Sequence, residues 1–139
     1  MTCAFFISPA GELLSVATSH IAVVIADPQR FGVTRAFIEA RHAQHGEPLG
    51  LEGRARSEVL VRVLEAGWIR VREQPPKSPV RWHLQVSTLN DDHRARLAAF
   101  AREALREHGP IRAWPTDLVT VLDAEGDVLW RGPLAELGA

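Results

Sequence analysis

The stretch that decides the fold is residues 54–86, which read RARSEVLVRVLEAGWIRVREQPPKSPVRWHLQV. Its first half repeats apolar side chains at intervals of one, three and four residues, and this spacing predicts an amphipathic helix over residues 54–66. Gly67 follows at the left-handed position that commonly ends a helix. The apolar positions of this helix are Val59, Leu60, Val63 and Leu64.

The second half of the stretch alternates apolar and polar side chains with the period of a β-strand, over residues 68–72 and again over 81–86. A proline-rich segment, residues 74–79, separates the two runs. The pattern predicts a two-stranded ribbon with one apolar face and one polar face. The polar face carries Arg70, Arg72, Arg81, His83 and Gln85.

A basic amphipathic helix followed by an arginine-bearing ribbon resembles the recognition helix and wing of a winged helix-turn-helix domain. The resemblance covers residues 54–86. It implies that the helix enters the major groove of DNA and that the ribbon touches the flanking backbone. The segment from Gly46 to Gly53 is longer than the usual turn before such a helix. The residues expected to bind nucleic acid are Arg54, Arg56, Arg62, Arg70, Arg72, Lys77 and Arg81.

The net charge of −1 conceals a segregation along the chain. Residues 54–112 carry a net charge of +5, whereas residues 1–53 carry −2 and residues 113–139 carry −4. All basic residues except Lys77 are arginine, whose guanidinium group binds phosphate through two hydrogen bonds. Codon bias gives the same excess of arginine over lysine. A second hypothesis stays open: a non-enzymatic assembly or protein-interaction subunit of phage or mobile-element origin, whose basic middle meets the acidic end of a second copy in a homodimer.

The remaining segments complete the expected architecture. Residues 19–27 suit either a strand or a helix capped by Thr18 or Ser19, and the helix is favoured slightly. We expect one α+β domain over residues 1–139, with three to four helices, short antiparallel hairpins and a winged-helix-like middle. Its expected parts are an N-terminal hairpin over 4–16, a helix-plus-ribbon core over 34–86 with a helix over 34–45, a helix over 91–108 and a C-terminal hairpin over 118–131.

Three short patterns suggest other chemistry, and each has a plainer structural interpretation. His42 and His45 have the helical spacing of zinc ligands, but they also suit an exposed helix face. The acidic residues around Gly126 resemble part of a calcium loop, but a hairpin turn explains them. Residues 50–53 are similar to the GXXG loop of KH domains, which clamps single-stranded nucleic acid, but a plain turn with a helix N-cap also explains them. We therefore expect no metal, no cofactor and no catalytic residue, and a binding module rather than an enzyme.

The sequence contains no apolar run long enough to cross a bilayer and no secretory signal at its N-terminus, so no membrane association and a cytoplasmic location are expected. A single cysteine, Cys3, excludes an intramolecular disulfide. The chain also loosely resembles small uncharacterised proteins of bacterial and phage genomes. This resemblance implies a single-domain fold and no particular mechanism. It rests on His20-Ile21, Pro28, Phe31-Gly32, residues 52–56 and residues 67–72.

Overall fold

The structure is a computed structural model, and it describes residues 4–47, 53–74, 81–109 and 111–139. Within these ranges the fold is mixed α+β, as the sequence predicts. The strands are β1 (Ala4–Ile7), β2 (Leu13–Ser15), β3 (Ile69–Glu73), β4 (Arg81–Gln85), β5 (Leu118–Leu122) and β6 (Val128–Pro133). The helices are α1 (His20–Ala26), α2 (Arg35–Gln44), α3 (Arg54–Glu65), α4 (Asp91–Ala104) and α5 (Leu134–Leu137), with one 3-10 turn at Pro28–Phe31.

The six strands form one sheet in the order β2-β1-β3-β4-β5-β6. All neighbouring pairs are antiparallel except β4 and β5, which run parallel. Parallel neighbours need a crossover connection, and α4 lies in the segment that joins them. The strands β2 and β6 are the two edges of the sheet.

One face of the sheet, the covered face, packs against α4 and α5. Trp82 and Leu84 of β4 are fully buried there, in the same cluster as Phe100 of α4 and Leu134 of α5. The Trp82 ring meets the Phe100 ring edge-to-face, with 5.9 Å between their centroids. The Trp82 indole Nε1 donates a hydrogen bond to Asp117, so the buried polar group has a partner.

The opposite face has a second core at the β2-β1 end, beneath α1, α2 and α3. Phe6 of β1 points into this core and contacts Phe31 and Trp68, with ring centroids 5.0 and 5.6 Å away. Trp68 is only 5% exposed and is therefore a core residue. These helices leave the same face of β4, β5 and β6 to polar side chains and to the exposed Leu118 of β5.

Local capping signals explain where the helices begin. The hydroxyl of Ser19 accepts a hydrogen bond from the backbone N–H of Ala22, which confirms the helix interpretation of residues 19–27. Thr34 caps α2 in the same way, through the N–H of Phe37. None of the described helices is long and apolar enough to span a membrane.

Other expectations need correction. The strands β3 and β4 are not a free two-stranded ribbon, because they are the two central strands of the sheet and bury their apolar sides against α4. A winged-helix arrangement is therefore not confirmed, and the described residues contain five α-helices instead of three to four. The helix expected over 91–108 ends at Ala104, beyond which the chain turns and His108 adopts a left-handed φ of 60°.

Candidate functional site

The candidate site lies on the sheet face opposite the covered face. Side chains alternate between the two faces of a strand, so the polar residues of β3 to β6 point away from α4. The register places Arg72 opposite His83, His83 opposite Thr120, and Thr120 opposite Arg131. These four side chains form one row across four strands, which spans about 14 Å at the usual strand spacing.

Further arginines flank this row. Arg70 lies opposite Gln85 in the neighbouring row, and Arg81 lies opposite Leu118 on the other side. Arg56 reaches the site from α3, where it lines a cavity together with Arg70 and Gln85. We call this cluster the arginine face, and it consists of Arg56, Arg70, Arg72, Arg81 and Arg131.

The described residues place no carboxylate in an ion pair with the arginine face. Within the described parts of the chain, no ion pair involves any of its five arginines. Burial, followed by repulsion from Arg72 and Arg56, lowers the pKa of Arg70 to about 10. Burial and the charge of Arg56 also lower the pKa of Arg72. Arg56, Arg70 and Arg72 therefore lie close enough to repel one another. The arrangement favours an anionic ligand.

His83 lies at the centre of the row and is kept neutral at pH 7. Burial lowers its pKa below the ordinary value, and the charges of Arg72, Arg131 and Arg81 lower it further. Gln74 Nε2 lies 3.2 Å from His83 Nδ1 and donates to it, which leaves the proton of the neutral ring on Nε2. A neutral His83 can therefore donate one hydrogen bond to a ligand on this face.

The structure brings together four of the seven residues predicted to bind nucleic acid, namely Arg56, Arg70, Arg72 and Arg81. Arg62 lies elsewhere, because its guanidinium group stacks over the Phe37 ring of α2 at 4.9 Å. Arg54 is exposed at the start of α3, where its backbone N–H donates to Glu47. Lys77 lies outside the described residues.

Sequence reasoning missed Arg131. This residue follows Arg81 by fifty positions and belongs to the acidic C-terminal segment. The available signal was the alternation of β6, which places Arg131 on the face opposite Trp130. Only the parallel pairing of β5 with β4 brings that face beside Arg72 and Arg81, and this pairing has no local sequence signature.

The other chemical patterns have structural explanations. The interpretation of an exposed helix face is wrong for His42, which is 2% exposed and whose Nδ1 donates to the Ile38 carbonyl at 2.8 Å. His45 pairs with Glu58 of α3. No group of three His, Cys, Asp or Glu side chains in the described ranges is placed to hold a metal ion. The Asp123 carboxylate accepts backbone N–H groups of Glu125 and Asp127, as expected of a hairpin turn. Most of the GXXG-like segment, residues 50–52, lies outside the described residues.

Comparisons of this chain with protein-family models, with curated proteins and with solved structures give no match. Its function is therefore inferred from the charge and geometry of the arginine face. The chemistry that this face presents is a cluster of guanidinium groups around one neutral imidazole. Such a cluster has donors for phosphate or carboxylate oxygens.

Proposed function

We propose that this protein is a nucleic-acid-binding module that contacts the phosphates of DNA through the arginine face. The observation that carries the proposal is the set of five arginines without a carboxylate partner in the described part of the chain. Guanidinium groups are the preferred protein partners of phosphate, and neutralising phosphates releases counterions from the nucleic acid. Binding should therefore weaken steeply as salt increases.

The extent of the arginine face supports a polymer as the ligand. The row from Arg72 to Arg131 crosses four strands, or about 14 Å, with Arg81 on one side and Arg70 on the other. A single small anion would contact one end of this row and leave the remaining charges unpaired. A backbone with a phosphate at every nucleotide can neutralise several of them at once.

The proposed mode of binding uses the sheet instead of an inserted recognition helix. The helix α3 buries Val59 and Val63 in the core beneath it, and Arg62 faces α2. Its contribution to the arginine face is Arg56, at the side of the sheet. Backbone contacts of this kind position a nucleic acid without reading its sequence, so we expect little discrimination between base sequences.

The test is a fluorescence anisotropy titration of mixed-sequence single-stranded and duplex DNA at low salt. Arg131→Gln and Arg72→Gln should each weaken binding about tenfold, which corresponds to about 1.4 kcal/mol for one charge-assisted contact. Arg62→Gln is the matched control, since this exposed arginine lies away from the arginine face, and it should bind as the unchanged protein does. Absence of binding at low salt, or an equal loss in the control, contradicts the proposal.

A second copy of the chain is the alternative occupant of the arginine face. The turn between β5 and β6 carries Asp123, Glu125 and Asp127, and the two latter residues are exposed. A two-fold arrangement could place each acidic turn against the arginine face of the other copy. Light scattering distinguishes the two candidates, because this dimer should dissociate at high salt and in Arg131→Gln without any DNA present.

A further inference from the structure

One end of the arginine face forms a distinct pocket. A cavity of about 220 Å³ opens between α3 and the sheet, with Arg56 and Ser57 on the helix side and Arg70 on the sheet side. Gln85 Nε2 donates to the carbonyls of Asp123 and Ala124, at 3.1 and 3.4 Å. These bonds hold the β5-β6 turn at the end of the cavity.

The two guanidinium groups of the pocket are incompletely hydrogen-bonded. The Nε atoms of Arg56 and Arg70 are both buried, and neither has a hydrogen-bond partner in the described part of the protein. Buried donors without partners are rare in native structures and are commonly satisfied by a bound molecule. The positive charges of the two groups also repel each other, and an anion bound between them would offset this repulsion.

We propose that this pocket binds a phosphate monoester, the terminal phosphate of the nucleic acid that lies on the arginine face. Two guanidinium groups and the Ser57 hydroxyl supply donors from two sides, which suits the several oxygens of a phosphate group. A terminal phosphate carries more negative charge than an internal phosphodiester, so it compensates two arginines better. The inference rests on the proposed function for the identity of the attached polymer.

The position of the pocket favours binding of a terminal phosphate of the nucleic acid over binding of an internal phosphate. The row that contains Arg70 and Gln85 continues to Leu122, where the β5-β6 turn begins. Ala124 of that turn lines the cavity, and the side of α3 closes it with Leu60 and Leu64. A nucleic-acid strand that lies along the row of Arg72 and Arg131 would therefore be blocked at this pocket by α3 and the β5-β6 turn.

The experiment compares one single-stranded DNA sequence carrying a 5′-phosphate, a 3′-phosphate or no terminal phosphate, in anisotropy titrations with the full chain. One of the two phosphorylated forms should bind at least about tenfold more tightly than the unphosphorylated form. Arg56→Gln should abolish this preference. Arg131→Gln should weaken the binding of all three DNA forms and should retain the preference for the phosphorylated form. Arg56→Gln is chosen because Arg56 lies on the side of a helix, and circular dichroism verifies that the variant folds.

Inorganic phosphate is a second probe that does not depend on DNA. Phosphate should raise the melting temperature of the unchanged protein and of Arg131→Gln, but not that of Arg56→Gln. If no DNA binds while phosphate still stabilises the protein through Arg56, the pocket stands and the proposed function fails. If DNA binds without any preference for a terminal phosphate and phosphate does not stabilise the protein, the pocket inference is overturned and the proposed function stands.

Discussion

His20 is the most strongly perturbed histidine among the described residues. It is 3% exposed, its Nε2 donates to the Phe5 carbonyl at 2.8 Å, and its ring packs edge-to-face on Phe6. Burial lowers its pKa to about 4, and the charges of Arg70 and Arg72 act in the same direction. His20 is therefore neutral in the folded protein over the pH range in which it becomes protonated in the unfolded chain.

This difference predicts a pH-dependent stability. Since the unfolded chain binds the proton first, the free energy of unfolding should fall as the pH decreases from about 6.5 towards about 4, by up to about 3 kcal/mol from His20 alone. Urea denaturation at several pH values measures this change in the free energy of unfolding. His20→Gln keeps a donor for the Phe5 carbonyl and should lose this part of the slope. An unchanged slope in His20→Gln would refute the assignment.

At the scale of elements, Arg96 joins three parts of the fold. Its side chain, on α4, donates to the carbonyls of Ser8 after β1 and Gly67 before β3, at 2.9 and 2.7 Å. It also forms an ion pair with Asp92 one turn earlier on the helix. Arg96 itself is 8% exposed, so its loss would leave two carbonyls short of a partner in a poorly hydrated position.

Arg96→Met should therefore destabilise the protein by about 2–4 kcal/mol. Arg94→Met is the matched control, because Arg94 is an exposed residue of the same helix, and it should change the free energy of unfolding by less than about 0.5 kcal/mol. Chemical denaturation of both variants measures the difference. Equal stabilities of the two variants would show that Arg96 does not hold these elements together.

The elements themselves were predictable where a local signal exists. Ser19 and Thr34 mark helix starts, and Gly67, with a φ of 101°, allows the sharp turn between α3 and β3. The order of the strands was not predictable, because β1 inserts beside β3 and β5 beside β4 through contacts between distant residues. For this reason the sequence indicated the alternating arginines of β3 and β4 but neither their place in a wide sheet nor the addition of Arg131.

At the scale of the whole molecule, the near-zero net charge hides a cluster of arginines on one face of the sheet. The question raised by the segregated sequence is whether its acidic segments neutralise the basic middle. Among the described residues the acidic side chains of the C-terminal segment form no ion pair with the arginine face. Asp117 instead accepts bonds from Trp82 and the backbone of Trp114, and Asp123 closes a turn. None of these described carboxylates therefore neutralises the arginine face through an ion pair.

The salt dependence of DNA binding tests this account most directly. If all five arginines contact phosphates, the logarithm of the association constant should fall with the logarithm of salt concentration with a slope of about −3.5 for single-stranded DNA. Arg131→Gln should make that slope shallower by about 0.7, and Arg62→Gln should leave it unchanged. A slope near zero, or the same slope in Arg131→Gln as in the unchanged protein, would contradict binding through the arginine face.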